Sequence, residues 1–463
     1  MDKSPVILVE FNELCPSLID RWIATNDLPN FRSLRESSTV CVTRADEQSQ
    51  PFLEPWIQWY SLHTGIPFSE HGVFRLSEGA NQPYQSVWDI LIANGRRVMS
   101  FSSMNCRGFQ KDGSIFLPDP WNDDQQAYPK ELEVFRQFLS KSVQEQANGR
   151  WTAAEVLRLT NFLLSNGLRV ATVIAGIRQL IGEKASSTPS RWRRVRILDE
   201  ILLDVFLNLY RKNRPEFATF FSNSTAHLQH AYWRYLEPEK FVEPTTPSEQ
   251  AEYSGAVKFG YVSMDAQLGR IMNVAKSVGA RIMFATALSQ QAYLSYEGRG
   301  GRHYYRPKDI DGLLQRIGVR PTTIRPVMAH QFILSFGSEQ ERLHAEQALS
   351  RPAIDGKQVF DIADGETSTK MVFGAQIYSR LEADAQIVFG SADGLSSDLF
   401  FSHFAELEAT KSGGHHPDGC FWMQTGRHRE IGEKISILDV APTILRHFGV
   451  AGERMRGSAL TTS

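Results

Sequence analysis

With 463 residues, 42% of them hydrophobic and 22% charged, the chain has ample material for a core and none of the bias of a disordered or low-complexity protein. A formal charge of -2 and a pI near 6.7 exclude a surface built to neutralise nucleic-acid phosphates. No stretch reaches the ~18 to 20 apolar residues of a membrane span; the nearest, 170–181, is broken by Gly176, Arg178 and Gln179.

The first residues, MDKSP, run straight into the strand-like VILVEF with no basic, apolar and small-residue signal pattern, which predicts a cytoplasmic protein. Cys15, Cys41, Cys106 and Cys420 lack CxxC spacing and are read as reduced structural thiols. One large domain over 1–463 is expected, carrying two insertions.

Residues 5–11 form an apolar run broken only by Glu10, followed by a helix-like segment from Pro16. A buried parallel strand leading into a helix opens a doubly wound sheet, and residues just beyond the strand's carboxyl end face the ligand crevice. Glu10, Asn12 and Glu13 are therefore site candidates. Residues 51–72 predict a helix bearing Trp56, Trp59 and Leu62, with both tryptophans read as packing and with turns at Gly65 and Gly72 that need positive φ.

The first insertion, 107–214, is rich in helical periodicity, with leucines at 157, 159, 163 and 164. Its basic cluster RWRRVR, 191–196, reads as a solvated helix start, with an anion or membrane-surface contact as the alternative. The run 218–222 predicts a strand, and after it comes a polar loop carrying Asn223, His227 and His230. The second insertion, 302–381, predicts a small α+β subdomain. A second polar loop, with His415 and His416, precedes a strand over 420–424. Imidazoles delivered from two strand ends into one crevice are what a metal site in an open α/β sheet requires.

Several of these segments carry a resemblance. W-x-S-x-x-T-G-x-P-x-x-x-H-G-V over 59–73 resembles the segment after the nucleophile in type I phosphodiesterases and nucleotide pyrophosphatases of the alkaline phosphatase superfamily. VILVEFNELCPSLID with LPNFRSL is similar to that family's first strand and following helix. SVWDILIANGRRVMSF, HLQHAYWRYLEPE and ISILDVAPTILRHFGV match later units in the same order. The resemblance implies an α/β fold with a doubly wound, mostly parallel central sheet. It also implies a hydrolase with two metal ions, usually zinc, around a Thr or Ser nucleophile.

Carried over residue by residue, the implied site is depleted. The family's first Asp falls on Asn12 and its nucleophile on Pro55, with Glu54 one residue away. Asp-x-x-x-His falls on Ala226 and His230. Ser-Asp-His-Gly falls on Thr286, Ala287, Leu288 and Ser289. The distal histidine falls on His415, in an intact HHPDG context. One metal position has thus lost its ligands, whereas the other keeps two imidazoles.

Three readings stay open. His230 and His415, joined by His227, His416 or a carboxylate such as Glu10, Glu13 or Glu54, hold one divalent metal, Zn or Mn. Alternatively Asn12, Gln58, Asn223, His227, Gln290 and Gln291 form a pocket that binds without chemistry. In the third, Glu54 or Glu13 does acid-base work with a histidine and no metal. The expected function is hydrolysis or transfer on a small phosphoester-like or sulfate-ester-like molecule, by a centre with at most one metal. A catalytically inactive member that binds a ligand or protein partner is the alternative.

Overall fold

The computed structural model describes residues 4–76, 78–122, 124–144, 151–185, 190–299, 302–327, 330–365, 367–391, 394–407 and 411–461. The chain divides into two compact units. The first comprises Met1–Leu236, Thr245–Ala292 and Gly413–Ser463, and the second Glu237–Pro244 and Tyr293–Ser412.

The first unit is α/β. Its strands are β1 (Val6–Phe11), β2 (Ser38–Arg44), β3 (Val98–Phe101), β4 (Ile115–Leu117), β5 (Phe217–Ser222), β6 (Arg281–Ala285), β7 (Ser289–Ala292), β8 (Gly413–His416), β9 (Asp418–Gln424) and β10 (Arg429–Ser436). Eight of them form one sheet in the order β10-β2-β9-β6-β1-β5-β3-β4. Neighbours run parallel except at β9, which is antiparallel to both β2 and β6. The other two, β7 and β8, make an antiparallel ribbon in which His415 lies opposite Gln290 and His416 opposite Ser289.

The helices used below are α1 (Pro16–Ala24), α2 (Pro29–Glu36), α3 (Pro55–Thr64), α4 (Ala153–Ser165), α5 (Val170–Ala185), α6 (Val195–Asn213), α7 (Ser224–Leu236) and α8 (Ala256–Val278). Strand alternation sends β1 side chains to opposite faces. Val6 and Leu8 pack with Trp59 and Leu62 of α3, while Phe11 meets Phe31 of α2 edge-on. Helices thus cover both faces, and β1, central and fully buried, can be almost wholly apolar. The turns at Gly65 and Gly72 adopt φ of 63° and 61°. All four cysteines are buried and unpaired with one another.

The structure corrects the two polar loops. Residues 224–236 are helical, with a break at Tyr232, and 413–416 are a strand. The first segment contains no Gly or Pro, begins with the capping types Asn223 and Ser224, and buries Thr225, Ala226, Leu228 and Gln229 on one side. That face approaches α8 closely at Gly260, where a Cβ would come within 2.9 Å of the Thr225 side chain.

The 107–214 segment contains β4, which lies at the sheet edge, the helix Glu133–Gln144 and helices α4 to α6. The second unit contains the 302–381 segment. It has two four-stranded sheets, the helices Ile310–Ile317 and Glu339–Leu349, and its own apolar core around Tyr305, Leu334, Leu349, Met371 and Phe400.

Candidate metal centre

Three side chains converge where the carboxyl ends of β1 and β5 open towards the β7–β8 ribbon. Glu13, just past β1, His230 on α7 and His415 on β8 offer ligand atoms that all lie within 4.8 Å of one another. The Glu13 Oε2 atom is 3.2 Å from His230 Nε2 and 3.6 Å from His415 Nε2.

The backbone fixes which imidazole nitrogens carry protons. His230 Nδ1 lies 2.9 Å from the Gly413 carbonyl oxygen and His415 Nδ1 lies 2.8 Å from that of Leu53. A carbonyl only accepts, so both Nδ1 atoms are donors; a neutral ring then turns its Nε2 lone pair towards Glu13, whereas a protonated ring donates from Nε2 to the carboxylate. Backbone carbonyls holding the far nitrogen of a histidine are the usual orientation device behind a metal ligand. Gly413 makes this possible, because a Cβ there would come within 2.4 Å of both the Gln229 carbonyl oxygen and Gln290 Oε1.

Glu13 is buried, with only 2% exposed. Burial alone would push its carboxyl up, but the charges of His415 and His230 and hydrogen bonds from His230 and Gln290 hold it down at about 2. An ionised carboxylate and two imidazole lone pairs cannot share so small a space without a cation, whether protons or a metal ion. The spacing fits a metal: tetrahedral bonds of about 2.1 Å place ligand atoms ~3.4 Å apart, and the two observed separations bracket that value.

Glu13 adopts φ of 61°, a left-handed conformation uncommon for a side-chain-bearing residue. A buried network holds it there. Gln229 Nε2 donates to the Glu13 carbonyl at 2.9 Å. Tyr261 on α8 accepts from the Cys15 N–H and donates to Gln229 Oε1, both at 2.7 Å. The Cys15 thiol donates to the Gln290 carbonyl at 3.1 Å, and burial pushes it up to about 12.

The carboxylate itself is aimed by amides. Asn12 Nδ2 donates to Glu13 Oε1 at 2.8 Å and to Asn223 Oδ1 at 2.7 Å, while Asn12 Oδ1 accepts from Trp59 Nε1 at 2.7 Å. Gln290 Nε2 donates to Glu13 Oε2 and, at 3.0 Å, to the Ala226 carbonyl. Trp59→Phe removes the indole donor and leaves the buried Asn12 carbonyl unpaired. Zinc affinity measured by chelator competition is expected to fall about tenfold while the chain stays folded.

The other sequence candidates lie around this cluster or away from it. Glu54, the residue before α3, has Oε2 3.5 Å from His415 Nδ1. Asn223 and Gln291 are exposed, and Gln291 Nε2 donates to the His415 carbonyl at 3.3 Å. His227 is exposed one turn before His230 and is not in the cluster. His416 points away from His415, as strand alternation requires, and its Nδ1 accepts from the Asp418 N–H at 3.2 Å. Gln58 is buried beneath the preceding loop, where its Oε1 accepts from the Asp46 N–H at 2.8 Å. Glu10 faces α3 instead, 2.8 Å from His63 Nε2 and 2.7 Å from the Ser103 hydroxyl. Pro55 is the first residue of α3 and offers no hydroxyl.

Sequence reasoning passed over Gln229, Tyr261 and the indole N–H of Trp59. The available signal was the donor requirement of Asn12: a buried amide beside a carboxylate needs a partner for its oxygen.

No family model and no curated protein matches the sequence. Among solved structures the chain is similar to phosphonoacetate hydrolase from Sinorhizobium meliloti 1021. In its complex with phosphonoacetate the TM-score is 0.43 at 12% identity, covering 97% of this chain and 96% of that one. In its complex with phosphonoformate the TM-score is 0.40 at 13% identity over the same shares.

Proposed function

We propose that Glu13, His230 and His415 hold one divalent metal ion, zinc or manganese. On this reading the chain is a phosphoester-type hydrolase or transferase of the alkaline phosphatase superfamily, nearest the type I phosphodiesterase branch. One observation carries the reading: three ligand atoms converge while both Nδ1 protons are committed to backbone carbonyls. The ordered sequence motifs and the position of the cluster beyond the carboxyl ends of β1 and β5 support the superfamily.

A divalent ion there supplies Lewis-acid charge to an electronegative oxygen of a phosphoester or sulfate ester. The chain's own residues do the rest. Asn12 and Gln290 fix the carboxylate, and the exposed Asn223, His227 and Gln291 offer hydrogen bonds to a substrate at the rim. Glu54, beside His415, accepts the proton of an attacking water or alcohol, since Pro55 provides no nucleophile.

The missing hydroxyl at Pro55 also favours a second reading, a non-catalytic descendant that binds a ligand in the crevice. Activity separates the two. Zinc- or manganese-loaded protein is expected to release nitrophenolate from bis(p-nitrophenyl) phosphate, p-nitrophenyl phosphate or p-nitrophenyl sulfate. Glu54→Gln should lower kcat by about 10²- to 10⁴-fold without changing metal content. No turnover of any of the three by metal-loaded protein would overturn the hydrolase reading in favour of the binder.

A further inference from the structure

Helix α5 is inverted relative to an ordinary globular helix. Val170, Val173, Ile174, Ile177, Leu180 and Ile181 recur at the three- and four-residue spacing of one helical face, and each is between 42% and 74% exposed. The side turned to the protein is small and polar: Thr172 is buried, and Gly176, Gln179 and Glu183 are half-buried. It is anchored by hydrogen bonds. The Thr172 hydroxyl donates to Asp204 of α6 at 2.6 Å, and Gln179 Nε2 donates to the Ser190 carbonyl at 3.0 Å. The preceding helix α4 adds Val156, Leu157 and Leu164, which are 48%, 62% and 67% exposed. A contiguous apolar stripe left outward by a helix fixed on its polar side marks a docking surface.

Charge identifies the occupant. Residues 151–196 carry eight Arg and Lys against two Glu, in a chain whose net charge is -2. Both acids are already paired, Glu155 with Lys141 and Glu183 with Arg194. Arg178, Arg191 and Arg193 form no ion pair among the described residues. A groove of about 380 Å³ beside α5 is lined by Arg178 and Arg193 together with Gln179, Glu183 and Ser190. At 16 residues the helix is ~24 Å long, short of a span, and no described helix is long and apolar enough to cross a membrane. An apolar stripe flanked by cations that hold no ion pair among the described residues suits the interfacial layer of an anionic bilayer. A symmetric dimer through the same face would instead bring two like-charged surfaces together.

We propose that α4, α5 and the turn Arg191–Arg194 form a membrane-docking surface, with the α5 stripe lying among lipid acyl chains and Arg178 and Arg193 meeting anionic phospholipid headgroups. The test is co-sedimentation of the full chain with phosphatidylcholine vesicles, either pure or containing about a third phosphatidylglycerol. The expected result is binding to the mixed vesicles that weakens with salt, and at least ~10-fold weaker binding to the pure ones. Ile174→Glu/Ile177→Glu should lose binding by at least ~10-fold. Arg178→Gln/Arg193→Gln should lose several-fold and flatten the salt dependence. All four positions lie on the surface of the helix or groove, so unchanged melting curves will show that folding is intact. Equal binding to both vesicle types, no binding to either, or full binding by Ile174→Glu/Ile177→Glu would overturn the proposal. A chain that ignores vesicles but is a dimer dissociated by the same double substitution would assign the stripe to a second copy instead.

Discussion

Glu13→Gln is expected to empty the proposed metal centre while leaving the fold in place. Glutamine keeps the size of the side chain and an oxygen to accept from Asn12 or Gln290, so packing is preserved. What is lost is the negative ligand between two imidazoles, which makes the divalent charge affordable in a buried site. Metal content of purified protein by plasma mass spectrometry should fall from about one equivalent to below ~0.1, and His230→Ala and His415→Ala should do the same. In parallel, added zinc should raise the melting temperature of the wild-type chain. A ligand of the native state alone contributes about 2.7 kcal/mol at a hundredfold excess over its Kd. No such rise should be seen in Glu13→Gln. Equal metal in the wild-type and Glu13→Gln proteins would sink the assignment of this carboxylate. Two equivalents in the wild type would place a second site elsewhere.

The scaffold of this centre was legible in the sequence because its signals are local. A short apolar run such as VILVEF, bounded by Pro5 and Asn12, reads as a strand buried on both faces, and Thr64-Gly65 reads as a helix end with a turn. His230 and His415 were likewise singled out as candidates from motif context, and the structure brings their rings together. Their surroundings were not legible. The polar residues of 224–236 looked like a loop, yet Thr225, Ala226, Leu228, Gln229, Tyr232 and Trp233 follow a helical period and were the better guide. Glu13 could not be singled out from Glu10 and Glu54, because its place beside the two histidines depends on a left-handed backbone held by Gln229, Tyr261 and Cys15, residues up to 246 positions apart. The helical periodicity of the leucines at 157, 159, 163 and 164 agrees with the helix α4. Periodicity does not say which way the stripe faces, and Leu157 and Leu164 face outward.

Asn12→Asp tests the direction of the hydrogen bonds around Glu13, and with them the claim that one cation position has been lost from this chain. The Trp59 indole would still find an oxygen acceptor at residue 12. The two Nδ2 donor contacts, at 2.8 Å to Glu13 and 2.7 Å to Asn223, would become contacts between acceptors, one of them between two carboxylates in a buried site. Removing a donor and adding an uncompensated charge there is expected to cost about 3 kcal/mol in metal-free protein, read as a melting temperature several degrees lower in chelator. Zinc bound by Glu13, His230 and His415 would screen the new repulsion, so the difference from the wild type should narrow when metal is added. Stoichiometry should remain one, because Pro55, Ala287 and Leu288 cannot supply the other ligands of a second ion. An unchanged melting temperature in chelator would mean that Asn12 does not donate to Glu13. A rise to two equivalents would mean that a single carboxylate is enough to restore the second position.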